Sequence, residues 1–443
     1  MIKRIVAFSL TALLAAAVFI FTPAFSFEAG QIPQASQLQV KAKDLQLVCP
    51  GGVYKTGGTT GTKLGSFEQV GTGTVASRFA GPSGVTVAES NRVLTVSDPA
   101  GAAQQGSMLL NANQTQLLGG ASIAGLTGAA CQRPASEQWL IGGDTSTGRE
   151  ALLILRNPTA VDATVNLEIF GRGGLVKAPG LTGLSVVAGK NLVLPLASYV
   201  PKTATFATHV TSTGGAIAAW IQQKTTHGLT PTGVDYISPS EAADKTQVIP
   251  GVFLRGTKDA AGLMAANADF ADLQPAIRVF VPGTKDAVVT VQIIGATAKT
   301  FGTVIRQTIS GGQVLDLPIT GLADGDYVAQ VAANVPVQAS VRLSRTDKTK
   351  KPVADFTWLQ SVPKFSSPVA ISVPRDGISK LSVYLPETGR VQTIEVAAGS
   401  NYIFAADSKA RYANLIVDVS GAIASIAVLD SKNAGGTVKV SVR

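Results

Sequence analysis

Apolar Val165, Leu167 and Ile169 alternate with polar Asn166 and Glu168, and the same beat returns at Val289, Val291 and Ile293. A period of two is the mark of a strand buried on one face. Each run follows a proline-bearing turn, at Pro158 or Pro282, and ends at Gly171 or Gly295, where a backbone without Cβ can bend sharply. Gly189 and Gly312 then precede a further strand. The likeness extends over three successive phrases. ALLILRNPTAVDATVNLEIFG, VVAGKNLVLPL and ATHVTSTGGAIAAWIQQ match AIRVFVPGTKDAVVTVQIIG, ISGGQVLDLPI and VAQVAANVPVQASVRLS in the same order. Pro158 and Pro282 stand 124 positions apart, as do Gly171 and Gly295; Gly189 and Gly312 stand 123 apart, as do Pro195 and Pro318. So steady an offset argues duplication. Short alternating strands with regular turns, in units of about 90–100 residues, predict β-sandwiches.

A reduced third copy closes the chain. ANLIVDVSGAIASIAVLD matches ATHVTSTGGAIAAWIQQ, with Gly421-Ala422-Ile423-Ala424 set against Gly215-Ala216-Ile217-Ala218. Residues 27–135 match no copy closely, yet GVTVAES, RVLTVSD and GSMLLNANQTQLLGG read as strands between turn residues. The expected fold class is all-β: tandem immunoglobulin-like β-sandwich modules behind an N-terminal signal or anchor helix. The expected division is 1–26 signal or anchor, 27–135 N-terminal β-domain, 136–225 first sandwich, 226–247 linker, 248–346 second sandwich, 347–367 linker, and 368–443 third sandwich. The two joints are polar and proline-bearing, which suits linkers.

Composition agrees with short strands. There are 46 glycines, 6% aromatics and 15% charged residues in a chain of 443. The N-terminus opens MIKR, runs through apolar residues from Ile5 to Phe21, and reaches Pro23 and the small residues Ala24 and Ser26. That is an export signal with cleavage after Ser26, or an uncleaved anchor just long enough to span a hydrocarbon core. No later stretch is long and apolar enough to span, so the body is expected outside the membrane. Removing Lys3 and Arg4 with the signal lowers the formal net charge from +9 to +7. The basic run RLSRTDKTKKP, residues 342–352, reads as a solvated interdomain loop, or as a patch drawn to anionic wall polymers. Nucleic-acid binding is not expected, because no basic helix or aromatic-interleaved basic motif is present.

The only two cysteines, Cys49 and Cys131, predict a disulfide in an oxidising compartment. Closing a loop of that length stabilises by roughly 4–5 kcal/mol in the chain-entropy model. Two cysteines and two histidines, His209 and His227, offer no zinc-ligand spacing.

Other chemistry is weak. Lys55-Thr56-Gly57, Ser361-Val362-Pro363-Lys364 and Ser431-Lys432-Asn433 imitate penicillin-binding motifs in the wrong order, and Pro363 breaks the needed helical turn. Neither histidine adjoins a nucleophile elbow. GGDTSTGRE, residues 142–150, and GGTTGTK, residues 57–63, lack phosphate-loop spacing and read as turns. Asp324-Gly325-Asp326 reads as a hairpin turn, and neither it nor Asn267, Asp269 and Asp272 completes a calcium loop. No catalytic, metal or cofactor site is assigned. Trp220 is the one candidate binding residue: it alternates against Ile217, Ala219 and Ile221 and so leaves the core face. It would stack on a glycan or pack under a neighbouring domain.

Three blocks carry a resemblance: LVCPGG, ACQRPASEQWLIGGDTSTGREALLILRNPTAVDATVNL and GLTPTGVDYISPSEA. They resemble a group of actinobacterial exported proteins catalogued only as a domain of unknown function. The resemblance implies an envelope-associated β-protein with an N-terminal membrane signal, and it brings no catalytic residues. The functional expectation is an extracytoplasmic, non-enzymatic envelope protein that scaffolds or binds an envelope protein or anionic wall polymer. A glycan-binding accessory module for a wall-modifying enzyme is the alternative. An enzyme whose residues converge only in space is a third reading.

Overall fold

The computed structural model describes residues 46–57, 66–81, 83–97, 109–296, 302–347, 353–365, 369–375, 377–404, 411–419 and 422–427. The segment 1–26 expected as a signal or anchor, most of GGTTGTK, the lysines of the basic run and Ser431–Asn433 lie outside them.

The chain is all-β, and its repeat is visible in the pairing order. The first copy holds β9 (Glu137–Ile141), β10 (Arg149–Arg156), β11 (Ala163–Gly171), β12 (Gly174–Leu175), β13 (Leu184–Val186), β14 (Asn191–Pro195), β15 (Phe206–Gly214), β16 (Ala218–His227) and β17 (Thr230–Ile237), the labels β1–β8 belonging to the N-terminal region below. One sheet runs β12-β11-β15-β9 with β13 also on β11; the other runs β14-β10-β16-β17. Along β11 buried and exposed positions alternate as its sequence predicts, and the inward residues Val165, Leu167 and Ile169 meet Leu153, Leu155 and Ile221 of the facing sheet.

The second copy repeats this with β18 (Asp244–Leu254), β19 (Ala276–Phe280), β20 (Ala287–Gly295), β21 (Thr303–Ile309), β22 (Val314–Pro318), β23 (Gly325–Asp347) and β24 (Val353–Gln360). The single strand β23 does the work of both β15 and β16. Its first half pairs with β20 and β18, and its second half with β19 and β24. In both copies the first strand lies beside a late strand, β9 beside β15 and β18 beside β23. An immunoglobulin constant domain instead places its first strand beside its second, so the layers are sandwiches of a different strand order.

The third copy contributes β25 (Val369–Ser372), β26 (Ile378–Leu385), β27 (Arg390–Val396), β28 (Asn401–Phe404), β29 (Tyr412–Val419) and β30 (Ala422–Ala427). Its sheets are β27-β26-β29-β30 and β25-β28. Among the described residues it lacks its own partners for β25 where β10 has β16 and β17. The N-terminal region fills that place. That region comprises β1 (Gln46–Val48), β2 (Val53–Thr56), β3 (Phe67–Val70), β4 (Thr74–Ala80), β5 (Thr86–Ser90), β6 (Val93–Ser97), β7 (Leu109–Gly119) and β8 (Ala124–Ala130). Its sheet β4-β7-β8 packs beside β25. Asn113 Nδ2 on β7 donates to the Ser372 carbonyl, and Ser372 Oγ donates to Asn111 Oδ1 at 2.8 Å. Leu126 and Ala130 of β8 enter the core formed by Phe365, Ile371, Leu381 and Leu415. Strands of the N-terminal region therefore complete the third sandwich.

The two segments expected as linkers are structural. Residues 226–247 hold β17 and the start of β18, and residues 347–367 hold β24. Their polar residues resemble those of a linker, but several are buried on hydrogen-bond partners. Nor are the cores separate. Phe356 and Trp358 of β24 sit in the first core, and Ile416 and Ile423 of the third copy sit in the second. β8 packs on β17, β17 on β24, β24 on β30 and β30 on β8, so the four strands close a ring.

Cys49 and Cys131 form a disulfide across 82 positions. It joins the residue after β1 to the residue after β8, and Val48 and Gln132 exchange backbone hydrogen bonds beside it. Glutamine side chains dock the short edge strand β2 onto the rest. Gln222 Oε1 accepts from Tyr54 N at 2.6 Å and its Nε2 donates to Tyr54 O at 2.7 Å, which reproduces the pairing of a neighbouring strand.

Candidate functional site

At the centre of the ring, two carboxyl groups are wholly enclosed. Asp235 on β17 accepts from Gly128 N at 3.1 Å, Thr357 Oγ1 at 2.8 Å and Trp358 N at 3.2 Å. Asp355 on β24 accepts from Leu126 N at 3.0 Å and Ile423 N at 3.2 Å through one oxygen. Its other oxygen has no hydrogen-bond partner. Burial pushes Asp235 up to about 8, against the pull of its hydrogen bonds. Burial also drives Asp355 well above the carboxylate range, and the neighbouring Asp235 charge adds to it. Asp235 is therefore a neutral acid at mildly acidic pH. Together the two carboxyl groups tie β8, β17, β24 and β30 to one another.

A second cluster surrounds Asp272. His227 Nε2 lies 3.1 Å from Asp272 Oδ1, while Arg149 and Arg342 approach Oδ2 at 3.0 and 3.3 Å. Arg342 also donates to the Asp272 carbonyl and lies over the Phe356 ring, 4.8 Å from its centroid. Burial alone would raise the Asp272 carboxyl. The hydrogen bond from His227 and the charges of Arg342 and Arg149 instead hold it far below the usual range. An acid so strong is a poor proton acceptor. The cluster acts as a clamp that holds the insert between β18 and β19, with its helix Thr257–Ala266, against β16 and β23. Asp324 caps that helix from outside, accepting from Gly256 N at 2.9 Å and Thr257 N at 3.0 Å. Asp326 pairs with Arg255. The Asp-Gly-Asp segment thus serves as a cap and an ion pair at the start of β23. Asn267 caps the short helix Ala268–Leu273 by accepting from Asp269 N, and Asp144 of GGDTSTGRE accepts from Ser146 N in a local turn. No three metal-ligating residues are grouped to hold an ion among the described residues.

Trp220 is fully enclosed. It does leave the core of its own sandwich, as the alternation requires, but Val48, Val53, Tyr54 and Tyr236 cover it. No face of the ring is open to a glycan, so Trp220 is corrected from a candidate binding residue to a packing residue between the N-terminal strands and β16. His209 lies elsewhere, stacked on Trp139 at 3.9 Å and 8°, with Glu168 and Glu137 at 2.9 and 3.0 Å from its two ring nitrogens. The histidines are thus in separate clusters.

The place that could take a ligand was not evident in the sequence. Two adjoining chambers of about 430 and 270 Å³ lie between the N-terminal strands and the first sandwich, and share Asn91, Arg156 and Asn191. Arg156, the last residue of β10, is 4% exposed. Its Nε donates to Asn191 Oδ1 at 3.0 Å, Nη1 to the Cys49 carbonyl at 2.7 Å and Nη2 to the Asn91 carbonyl at 2.7 Å. Burial lowers its pKa, the nearby Tyr54 opposes that, and Arg92 adds to it. Asn91 and Arg92 form the two-residue turn between β5 and β6, with φ of 48° and 62°. Two successive positive φ values suit Asn-Gly, so Arg92 holds a left-handed conformation at a cost of about 1–2 kcal/mol. Cys49 N donates to the Arg92 carbonyl at 2.9 Å, and Arg92 Nη2 donates to the Gly73 carbonyl at 3.1 Å. Glu89 lies 3.6 Å from Arg92. Gly52 forms part of the wall where a Cβ would come within 2.2 Å of the Gly71 carbonyl oxygen. Residue type gave no hint of the cleft, because its members come from segments far apart in the chain.

The model of a family of unknown function, DUF5719, matches residues 83–402. No curated protein matches the chain. Among solved structures, the crystal structure of Thermotoga maritima 1070 is 16% identical, with a TM-score of 0.19, over 27% of this chain and 95% of that one. The BSP domain of a biofilm-associated protein is 8% identical, with a TM-score of 0.10, over 73% of this chain and 63% of that one.

Proposed function

Because the chain belongs to the DUF5719 family of unknown function, we propose its role from its own architecture: an extracytoplasmic, non-enzymatic envelope protein that scaffolds or binds other envelope components. The observation that carries this reading is the Cys49–Cys131 disulfide, which ties β1 to β8, one strand of the closed ring. A disulfide that joins two ends of a region persists in an oxidising compartment. Interlocked sandwiches make a stiff body whose loops can be presented in fixed relative positions. The basic balance of the chain favours acidic partners. In intact cells, an impermeant label should reach the protein, its two cysteines should resist alkylation until reduced, and crosslinking should recover envelope proteins or wall polymer. Recovery from the cytosol with both thiols free would overturn the proposal.

A further inference from the structure

We propose that the cleft around Arg156 binds an acidic saccharide unit, a sugar ring carrying a carboxylate or a phosphate. The inference deepens the envelope reading by naming a ligand, and rests on it only for where that ligand would come from. The larger chamber has the size of a small-molecule site, within the roughly 300–1,000 Å³ such sites occupy. Its side chains are polar: Gln69, Glu89, Asn91, Arg92, Arg156 and Asn191. That set matches a ring of hydroxyl groups. Planar amides both donate and accept, as vicinal hydroxyls do, and a carboxylate accepts from a hydroxyl. Two guanidinium groups face one carboxylate, so the cleft carries a net positive charge that an acid group on the ring would offset.

The site is also built in advance. Arg156 is held by acceptors from the Cys49 segment, the β5–β6 turn and β14, which uses three of its five N–H groups. Arg92 is fixed by its backbone bond to Cys49 and its side-chain bond to Gly73. A ligand that meets groups already ordered loses less of its binding energy to ordering them. The disulfide residue Cys49 is bonded to both arginines, so the staple that ties β1 to β8 also sets the cleft. No aromatic ring lines the larger chamber, so recognition there depends on hydrogen bonds and charge.

Isothermal titration and amide chemical-shift mapping on the purified full chain test this, with glucuronate, glucose 6-phosphate, glucose and inorganic phosphate as probes. At least one acidic sugar should bind saturably, at least tenfold more tightly than glucose and than inorganic phosphate, with shifts at residues 89–92 and 191. Which acid binds identifies the source, uronic or phosphorylated. Arg92→Gln should weaken binding at least tenfold with melting temperature unchanged. If that variant is destabilised, Gln69→Ala, on the exposed wall, should weaken it about threefold. Absence of saturable binding by either acidic sugar overturns the proposal. So do inorganic phosphate that binds as well as the sugars, and unaltered affinity in both variants. The location and crosslinking results above do not depend on any of these outcomes.

Discussion

Replacing Asp235 by Asn should change how stability depends on pH. Asp235 has no exposed surface, and burial moves its pKa from 3.8 to about 8. A folded-state pKa raised above the unfolded one means that the folded chain holds the proton more tightly. Its contribution is complete below about pH 4 and is lost as pH rises through about 8. At about 1.4 kcal/mol per pKa unit, the whole effect is roughly 6 kcal/mol, an upper bound because a buried site relaxes when it ionises. Between pH 5.0 and 7.5 this site alone would therefore remove about 3 kcal/mol from the wild type. Asparagine is neutral at every pH, so the variant should lose much less over that interval. It should begin less stable, by about 1–3 kcal/mol at pH 5, because the new amide N–H group faces the Trp358 N–H. The gap should close or reverse by pH 7.5. Urea unfolding at closely spaced pH values, compared between the two proteins, reads the Asp235 term with its coupling to Asp355, apart from Glu241, whose carboxyl burial also raises. A wild type whose stability is flat or rises from pH 5 to 7.5, or a variant with the wild-type slope, would refute the reasoning.

Three further outcomes follow from named contacts. Gly233→Ala should destabilise by about 3 kcal/mol or more in thermal unfolding, because φ is +132° and the new Cβ would come within 2.6 Å of the Phe356 ring and 2.7 Å of Asp355 Oδ1. Trp220→Ala should lower stability to denaturant by about 3–5 kcal/mol, since it empties an enclosed site between β16 and the N-terminal strands. Reducing Cys49–Cys131 should cost about 4–5 kcal/mol in the same assay, in the chain-entropy model for a separation of 82.

The sandwich strands were legible because they are half-buried. In β11 and β20 one face meets the core and the other meets water, so the alternation appears in the sequence. The pairing of Cys49 with Cys131 was legible by count alone. The strands β17 and β24 were not, because neighbouring strands cover both their faces and each carries an aspartate among apolar residues. A polar residue in such a run looks like a linker when its hydrogen-bond partners, such as Gly128 and Ile423, lie far off in sequence. The alternation placed Trp220 on the right side of its strand, but could not say that Val53 and Tyr54 lie over it. The cleft joins Gln69, Asn91 and Arg156 through a fold that no local pattern encodes.

The central claim is that strands of the N-terminal region, β4, β7 and β8, complete the third sandwich. Hydrogen exchange read by mass spectrometry on a Leu126→Ala variant tests it most directly. Leu126 has no exposed surface and sits in the core with Ile371, Leu381 and Leu415, so its truncation should cost about 2–5 kcal/mol there. The account predicts faster exchange in 369–427 together with 109–130. Faster exchange in 109–130 alone, with 369–427 as protected as in the wild type, would contradict it.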